Sequence, residues 1–206
     1  MKKFGLMLVA LLLPFMVQAE EYKEGVHYKQ VAPGLTSNKG KIEVIEMFGY
    51  PCPHCNSFEP LIKHWDKNKS EDVNFVRVPA AWNPSWEQMA RAYYASEVLN
   101  TLDKTHEPTF HAVHVERRRF RSVDDFADFY SNLGVEPKKF KSAFKSFAVN
   151  TKLRQGDQKL TKYQIQGVPA MVVNGKYQVT AAMAGGHKQM LEVVDYLVEK
   201  ERNSAN

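Results

Sequence analysis

The chain has 206 residues and a formal charge of +5, from 28 Lys and Arg against 23 Asp and Glu. That length fits one domain, or one domain carrying an insertion, with enough chain to bury a sizeable core. The basic excess gives no argument for a nucleic-acid partner, because Lys2 and Lys3 belong to a leader whose removal brings the charge to +3.

That leader comes first in chain order. Lys2 and Lys3 precede an apolar run from Phe4 to Val17, and Val17-Gln18-Ala19 puts small residues where a signal peptidase reads. A secretory signal cleaved after Ala19 is expected, leaving 187 residues. The apolar run, about fourteen residues, is shorter than the roughly twenty that a spanning helix needs. Residues 41–49 (KIEVIEMFG) read as a strand that alternates and then turns apolar. Tyr50-Pro51 makes a short turn, and Cys52-Pro53 opens a helix, since proline is favoured in a first helical turn. Phe58, Leu61, Ile62 and Trp65 follow at helical spacing. Residues 73–78 (VNFVRV) are a second strand, completing a strand–helix–strand unit whose crossover should be right-handed.

The middle of the chain has no strand pattern from residue 84 to 162. One helix is marked by Trp86, Ala90, Tyr93, Tyr94 and Val98, and a second by Phe110, Val113 and Val115. A third starts at the capping pattern of residues 122–125 and runs to Leu133-Gly134. A fourth starts at Pro137 and carries Phe140, Phe144 and Phe147. This all-helical block reads as an insertion. Sheet character returns at residues 170–173 (AMVV), followed by the hairpin signal Asn174-Gly175 and a partner strand at 176–179. Gly185-Gly186 leads to a last helix with Met190, Leu191, Val194, Leu197 and Val198 on one face, and residues 203–206 are expected to fray.

The chain holds two cysteines, Cys52 and Cys55. In an exported protein a bridge between them closes so small a loop that it restrains the unfolded chain little, so the pair reads as a switch rather than a staple. Half a zinc site is the competing reading, but no further cysteine exists and the histidines lack the required spacing, so no metal is expected. At the start of a helix, free N–H groups and the helix dipole favour an anion, and His54 adds to this. Cys52 should therefore be the low-pKa nucleophile, and Cys55, one turn further in, the buried second thiol.

Residues 48–55 (FGYPCPHC), 166–171 (QGVPAM) and 174–177 (NGKY) resemble the DsbA family of Gram-negative periplasmic disulfide oxidases, over nearly the whole mature chain. The resemblance implies a thioredoxin-like fold with an inserted all-helical domain: residues 20–82 and 157–206 form the thioredoxin-like part and 83–156 the insertion. It implies that Cys52 is the exposed nucleophile, Cys55 its buried partner, and Pro53-His54 the dipeptide that tunes the potential. Val168-Pro169 would be a cis-proline loop facing the disulfide and offering backbone to an extended substrate. Glu46 would be a buried acid beneath Cys55, with a raised pKa suited to relaying a proton. Glu59 matches a further acidic position, with a solvated helix face as the alternative. The partners implied are newly exported cysteine-containing proteins and a DsbB-like membrane quinone reductase that restores the disulfide. No bound cofactor is needed, and a periplasmic monomer is expected.

The chain also departs from the family. Arg77 stands where the best-known members carry lysine, and arginine does not give up its proton, which counts against a relay role there. Tyr50-Pro51 and residues 180–187 (TAAMAGGH) differ in segments that shape the binding surface. The basic run Arg117, Arg118, Arg119 and Arg121 reads as a solvated helix end, and His106, His111 and His114 as surface or packing residues. Trp82 and Trp86 are expected to pack at the start of the insertion. A reductase or isomerase, and a chaperone groove around Pro169, remain the other functions compatible with these motifs.

Overall fold

A computed structural model describes residues 22–31 and 40–204. The expected signal segment with Ala19 lies outside these residues. The sheet runs β1-β5-β4-β2-β3, from β1 (Lys29–Gln30), β2 (Ile42–Phe48), β3 (Val73–Pro79), β4 (Ala170–Val173) and β5 (Tyr177–Thr180). Among these strands β2 and β3 form the parallel pair, joined by helix α1 (Pro53–Asn68) as the strand–helix–strand pattern requires. The other pairs are antiparallel.

Strand β2 is covered on both faces, which is why its sequence turns apolar instead of alternating throughout. Val44 packs with Phe58, Ile62 and Trp65 of α1 and with the closing helix α8 (His187–Ser204). Ile45 and Met47 point the other way, onto Leu160, Tyr163 and Ile165. Between β4 and β5 the turn is closed by Asn174 at φ 51° and Gly175 at φ 64°, the left-handed pair that an Asn-Gly hairpin supplies. Strand β1 went unpredicted because two residues carry no periodic pattern; its pairing with β5 alone defines it.

Between β3 and β4 lie α2 (Pro84–Val98), α3 (Leu102–His114), α4 (Val123–Ser131), α5 (Pro137–Phe144) and α6 (Phe147–Lys162). The expected start of α4 is a reciprocal capping box between Ser122 and Asp125. The sequence reading needs correction at two aromatic or apolar positions. Phe147 does not continue α5: Ser146 caps a new helix there through Val149 N–H, and Phe147 is 79% exposed. Val115 lies past the end of α3 and is also exposed. Helix α6 spans the expected 156/157 boundary. Val149 and Leu153 pack into the helical core, whereas Leu160 packs under the sheet.

The C-terminal residues were expected to fray from 203, yet α8 continues through Ser204. Arg202 binds both carboxylate oxygens of Asp72 at 2.7 and 2.8 Å, and buried Glu201 accepts from Lys176 at 2.7 Å. These contacts hold the last turn against the sheet end. Short helix α7 (Ala181–Ala184) precedes α8, its start capped by the Thr180 hydroxyl.

Candidate active site

Strand β2 ends where the sheet meets the helical block, and the chain turns immediately: Cys52 N–H donates to the Gly49 carbonyl at 3.0 Å. Cys52 is the N-cap of α1, with extended backbone (φ −82°, ψ 117°), and Pro53 fills the first helical position. The Cys52 sulfur accepts the Cys55 N–H at 3.3 Å, so sulfur occupies the place a capping oxygen would take. The Cys52 thiol is lowered to about 6 by the hydrogen bond from the Cys55 side chain first, then by the N–H groups of Cys55 and His54 and the charge of His54, against the opposing effect of burial. Cys55 is fully buried; burial first, then its bond to Cys52 and the charge there, push its thiol far above the ordinary range. Both are free thiols in this structure.

The expected exposed nucleophile is in fact only 7% exposed. The reason is the facing loop, in which Val168-Pro169 is a cis peptide. The Val168 carbonyl lies 3.2 Å from the Cys52 sulfur, placed to accept from the thiol. A groove of about 630 Å³ opens beside this contact, lined among others by His54, Gln166, Val168, Pro169, Met183 and His187. Residues 180–187, expected to reshape the surface, form one wall of it.

Below the cysteines lies a chain of charged groups. The β2–β3 register sets Glu46 opposite Arg77, and Arg77 Nε donates to Glu46 Oε2 at 2.9 Å. Glu46 is fully buried, and burial raises its carboxyl to about 7 despite the lowering effect of Arg77. Arg77 Nη2 also donates to Glu59 Oε1 at 3.3 Å. Glu59 is buried beside it, which overturns the solvated-face alternative. One arginine thus joins both acids, a task for which its forked donors suit it better than a lysine.

His106 was read as a surface or packing residue, and its polar role was missed. It is buried: Nδ1 lies 2.8 Å from the Tyr50 hydroxyl, and Nε2 stands 3.4 Å from Glu59 Oε1 without the alignment of a hydrogen bond. His114 Nε2 meets the Tyr50 carbonyl at 2.7 Å. The available signal was the spacing of His106, Phe110 and His114, which places all three on one face of α3, against Phe48 and Tyr50. His111 instead is exposed and pairs with Glu116. The basic run does not form the helix end expected: α3 stops at His114, the arginines follow in the loop beyond Val115, and Arg118 lies over the Phe129 ring at 4.8 Å. Trp86 packs across Gly49, while Trp82, expected to be packing, is 45% exposed and meets the Trp86 ring at 5.1 Å.

Residues 43–198 match the model of the DSBA-like thioredoxin domain. The chain is 37% identical over 202 residues to the thiol:disulfide interchange protein DsbA of Pseudomonas aeruginosa, covering 98% of this chain and 96% of that one. A crystal structure of Pseudomonas aeruginosa DsbA superposes with a TM-score of 0.86 at 38% identity, covering 89% of this chain and 96% of the other. Proteus mirabilis DsbA, in a complex with the non-covalently bound peptide PWATCDS, superposes at 0.74 with 27% identity, covering 87% and 99%. With the capping cysteine, the cis-proline loop facing it and the helical insertion all in place, the chain belongs to the DSBA-like thioredoxin family and is a protein-disulfide oxidoreductase of the thiol:disulfide interchange type.

Proposed function

We propose that this protein donates the Cys52–Cys55 disulfide to newly exported proteins in the periplasm, after removal of the leader at Ala19, and works as a monomer. A substrate thiolate attacks the Cys52 sulfur, the Cys52–Cys55 bond breaks, and Cys55 leaves with the bonding electron pair. Cys55 holds a proton strongly in its buried site, and Glu46, with its carboxyl near 7, is placed to supply it. A second substrate thiolate then attacks the substrate sulfur of the mixed disulfide. Cys52 leaves as a thiolate, and the substrate departs with one disulfide while the protein has gained two electrons. Reoxidation falls to a DsbB-like membrane quinone reductase, which accepts those electrons.

The observation that carries this direction is the position of the Cys52 sulfur as the helix cap. An anion there is stabilised only in the reduced protein, so its disulfide is the stronger oxidant. Val168 and Pro169 would hold the substrate backbone as an added strand; that a Proteus relative binds the cysteine-containing peptide PWATCDS supports a peptide substrate. Pro53 and His54 would tune the Cys52 thiolate. Glu59 would position Arg77 rather than move a proton.

Equilibration with glutathione buffers tests this. The expected reduction potential lies well above that of a thioredoxin, and Cys55→Ser should accumulate a mixed disulfide through Cys52, visible by mass. A thioredoxin-like potential would move the protein to the reductase or isomerase class.

A further inference from the structure

The groove beside the cis-proline loop has a charge pattern that disulfide chemistry alone does not require. His54 reaches it from the start of α1, Gln164 and Gln166 from the cis-proline loop, and His187 from the start of α8. Lys29 enters from the edge strand β1, where it is paired with Gln178. No Asp or Glu lines this groove among the described residues, and residues 32–39 (APGLTSNK), which follow β1, contain none in sequence. Gln178 is 3% exposed and also lines the groove, and its amide oxygen has no hydrogen-bond partner among the described residues.

The groove therefore offers the fixed positive charge of Lys29 together with two imidazoles and several amides that can donate hydrogen bonds, and no carboxylate among the described residues opposes them; burial first, then His54, lowers the pKa of His187, which acts here as a donor. A substrate bound through its own cysteine at Cys52 must lay the adjoining residues along it. A carboxylate there gains the charge of Lys29 and the imidazole and amide donors, whereas a lysine meets the like charge of Lys29 with no carboxylate to offset it.

We propose that this groove selects substrate segments that carry a carboxylate beside the reactive cysteine, with Lys29 and His187 as the specificity-determining residues. The inference rests on the reading above that substrates are oxidised at Cys52. Its consequence is discrimination by negative charge, through attraction of acidic segments and rejection of basic ones.

The test uses the oxidised mature protein and three peptides: PWATCDS, its Asp→Asn counterpart and its Asp→Lys counterpart. In each case two peptide thiols become one peptide disulfide while Cys52–Cys55 becomes a dithiol. Second-order rates are expressed per peptide thiolate, because a neighbouring carboxylate raises the peptide thiol pKa. The expected order is Asp, then Asn, then Lys, spanning about threefold to tenfold at low ionic strength and shrinking with added salt. Lys29→Gln should narrow the ratio of Asp to Asn rates, and Lys29→Gln with His187→Gln should narrow it further. Equal rates for the three peptides would overturn the selectivity while leaving oxidation at Cys52 intact. A preference unchanged in the double variant would overturn the assignment to Lys29 and His187. Failure to oxidise any peptide would overturn the reading on which the proposal rests.

Discussion

Glu46 shows how one residue ties stability to chemistry. Its carboxyl sits near 7 instead of the ordinary 4.5, because burial outweighs the pull of Arg77. Between these values the folded protein holds a proton that the unfolded chain has released. The stabilisation linked to that proton is complete below 4.5 and is lost as pH rises through about 7. Glu46→Gln has no such titration. The variant should gain stability relative to the parent as pH rises across this window, by on the order of 3 kcal/mol. Urea unfolding of the oxidised forms at several pH values checks this; parallel profiles would mean that Glu46 titrates normally. Such a role was legible only in part. The sequence placed Glu46 on the strand before the cysteines, and only the family resemblance pointed to its burial. The β2–β3 register and the cover of α1 made it a buried acid beside Arg77.

At the scale of elements, α1 and α3 together shape the cysteine turn. The helix start caps itself with the Cys52 sulfur, and α3 holds Tyr50, two residues earlier, by both its hydroxyl and its carbonyl, through His106 and His114. Gly49 makes the turn compatible with α2: a Cβ there would lie 2.3 Å from a ring carbon of Trp86. Gly49→Ala must push that ring aside, at a cost of about 1–3 kcal/mol. Because the Gly49 carbonyl also accepts the Cys52 N–H, the same substitution should shift the Cys52 thiol pKa. Urea unfolding and the pH dependence of Cys52 alkylation measure the two effects. Unchanged stability together with an unchanged pKa would show that Trp86 moves freely. The helix starts themselves were readable, because Pro53, Pro84, Pro137 and the Ser122–Asp125 box are local signals. The break between α5 and α6 was not, because Phe140, Phe144 and Phe147 continue a helical spacing that Ser146 interrupts.

For the whole molecule, redox state and stability are one linkage. In the dithiol form the Cys52 thiol ionises near 6 when folded and near its ordinary 9.0 when unfolded. Its contribution to stability is fully present above 9.0, and it is lost as pH falls through about 6. The disulfide form has no thiol and lacks this contribution. Thermal unfolding of both forms should therefore show the reduced protein gaining on the oxidised one as pH rises from about 6 to 9, with little change in the gap below 6. A gap independent of pH across that window would remove the thiolate as the source of oxidising power. The site that produces this effect lies where two cores meet: Cys52 and Cys55 pack in one cluster with Tyr50 of their own turn and with Tyr93 and Phe110 of the helical block, while the sheet core lies on the other side of α1.

The sequence by itself determined the strand–turn–helix that carries Cys52 and Cys55, the Asn-Gly hairpin, the helical block and the order of the nucleophilic and buried thiols. These follow from local rules: proline at a helix start, left-handed residues at a tight turn, and the spacing of apolar side chains. No local rule set what faces the cysteines: the resemblance pointed to Val168-Pro169 and Glu46, and tertiary structure decided the contacts. The closeness of Val168 to Cys52, the pairing of Glu46 and Glu59 through one Arg77, the grip of His106 and His114 on Tyr50, and the entry of Lys29 into the groove all join residues far apart in the chain. Such contacts depend on strand register and helix packing, which no local window of sequence contains.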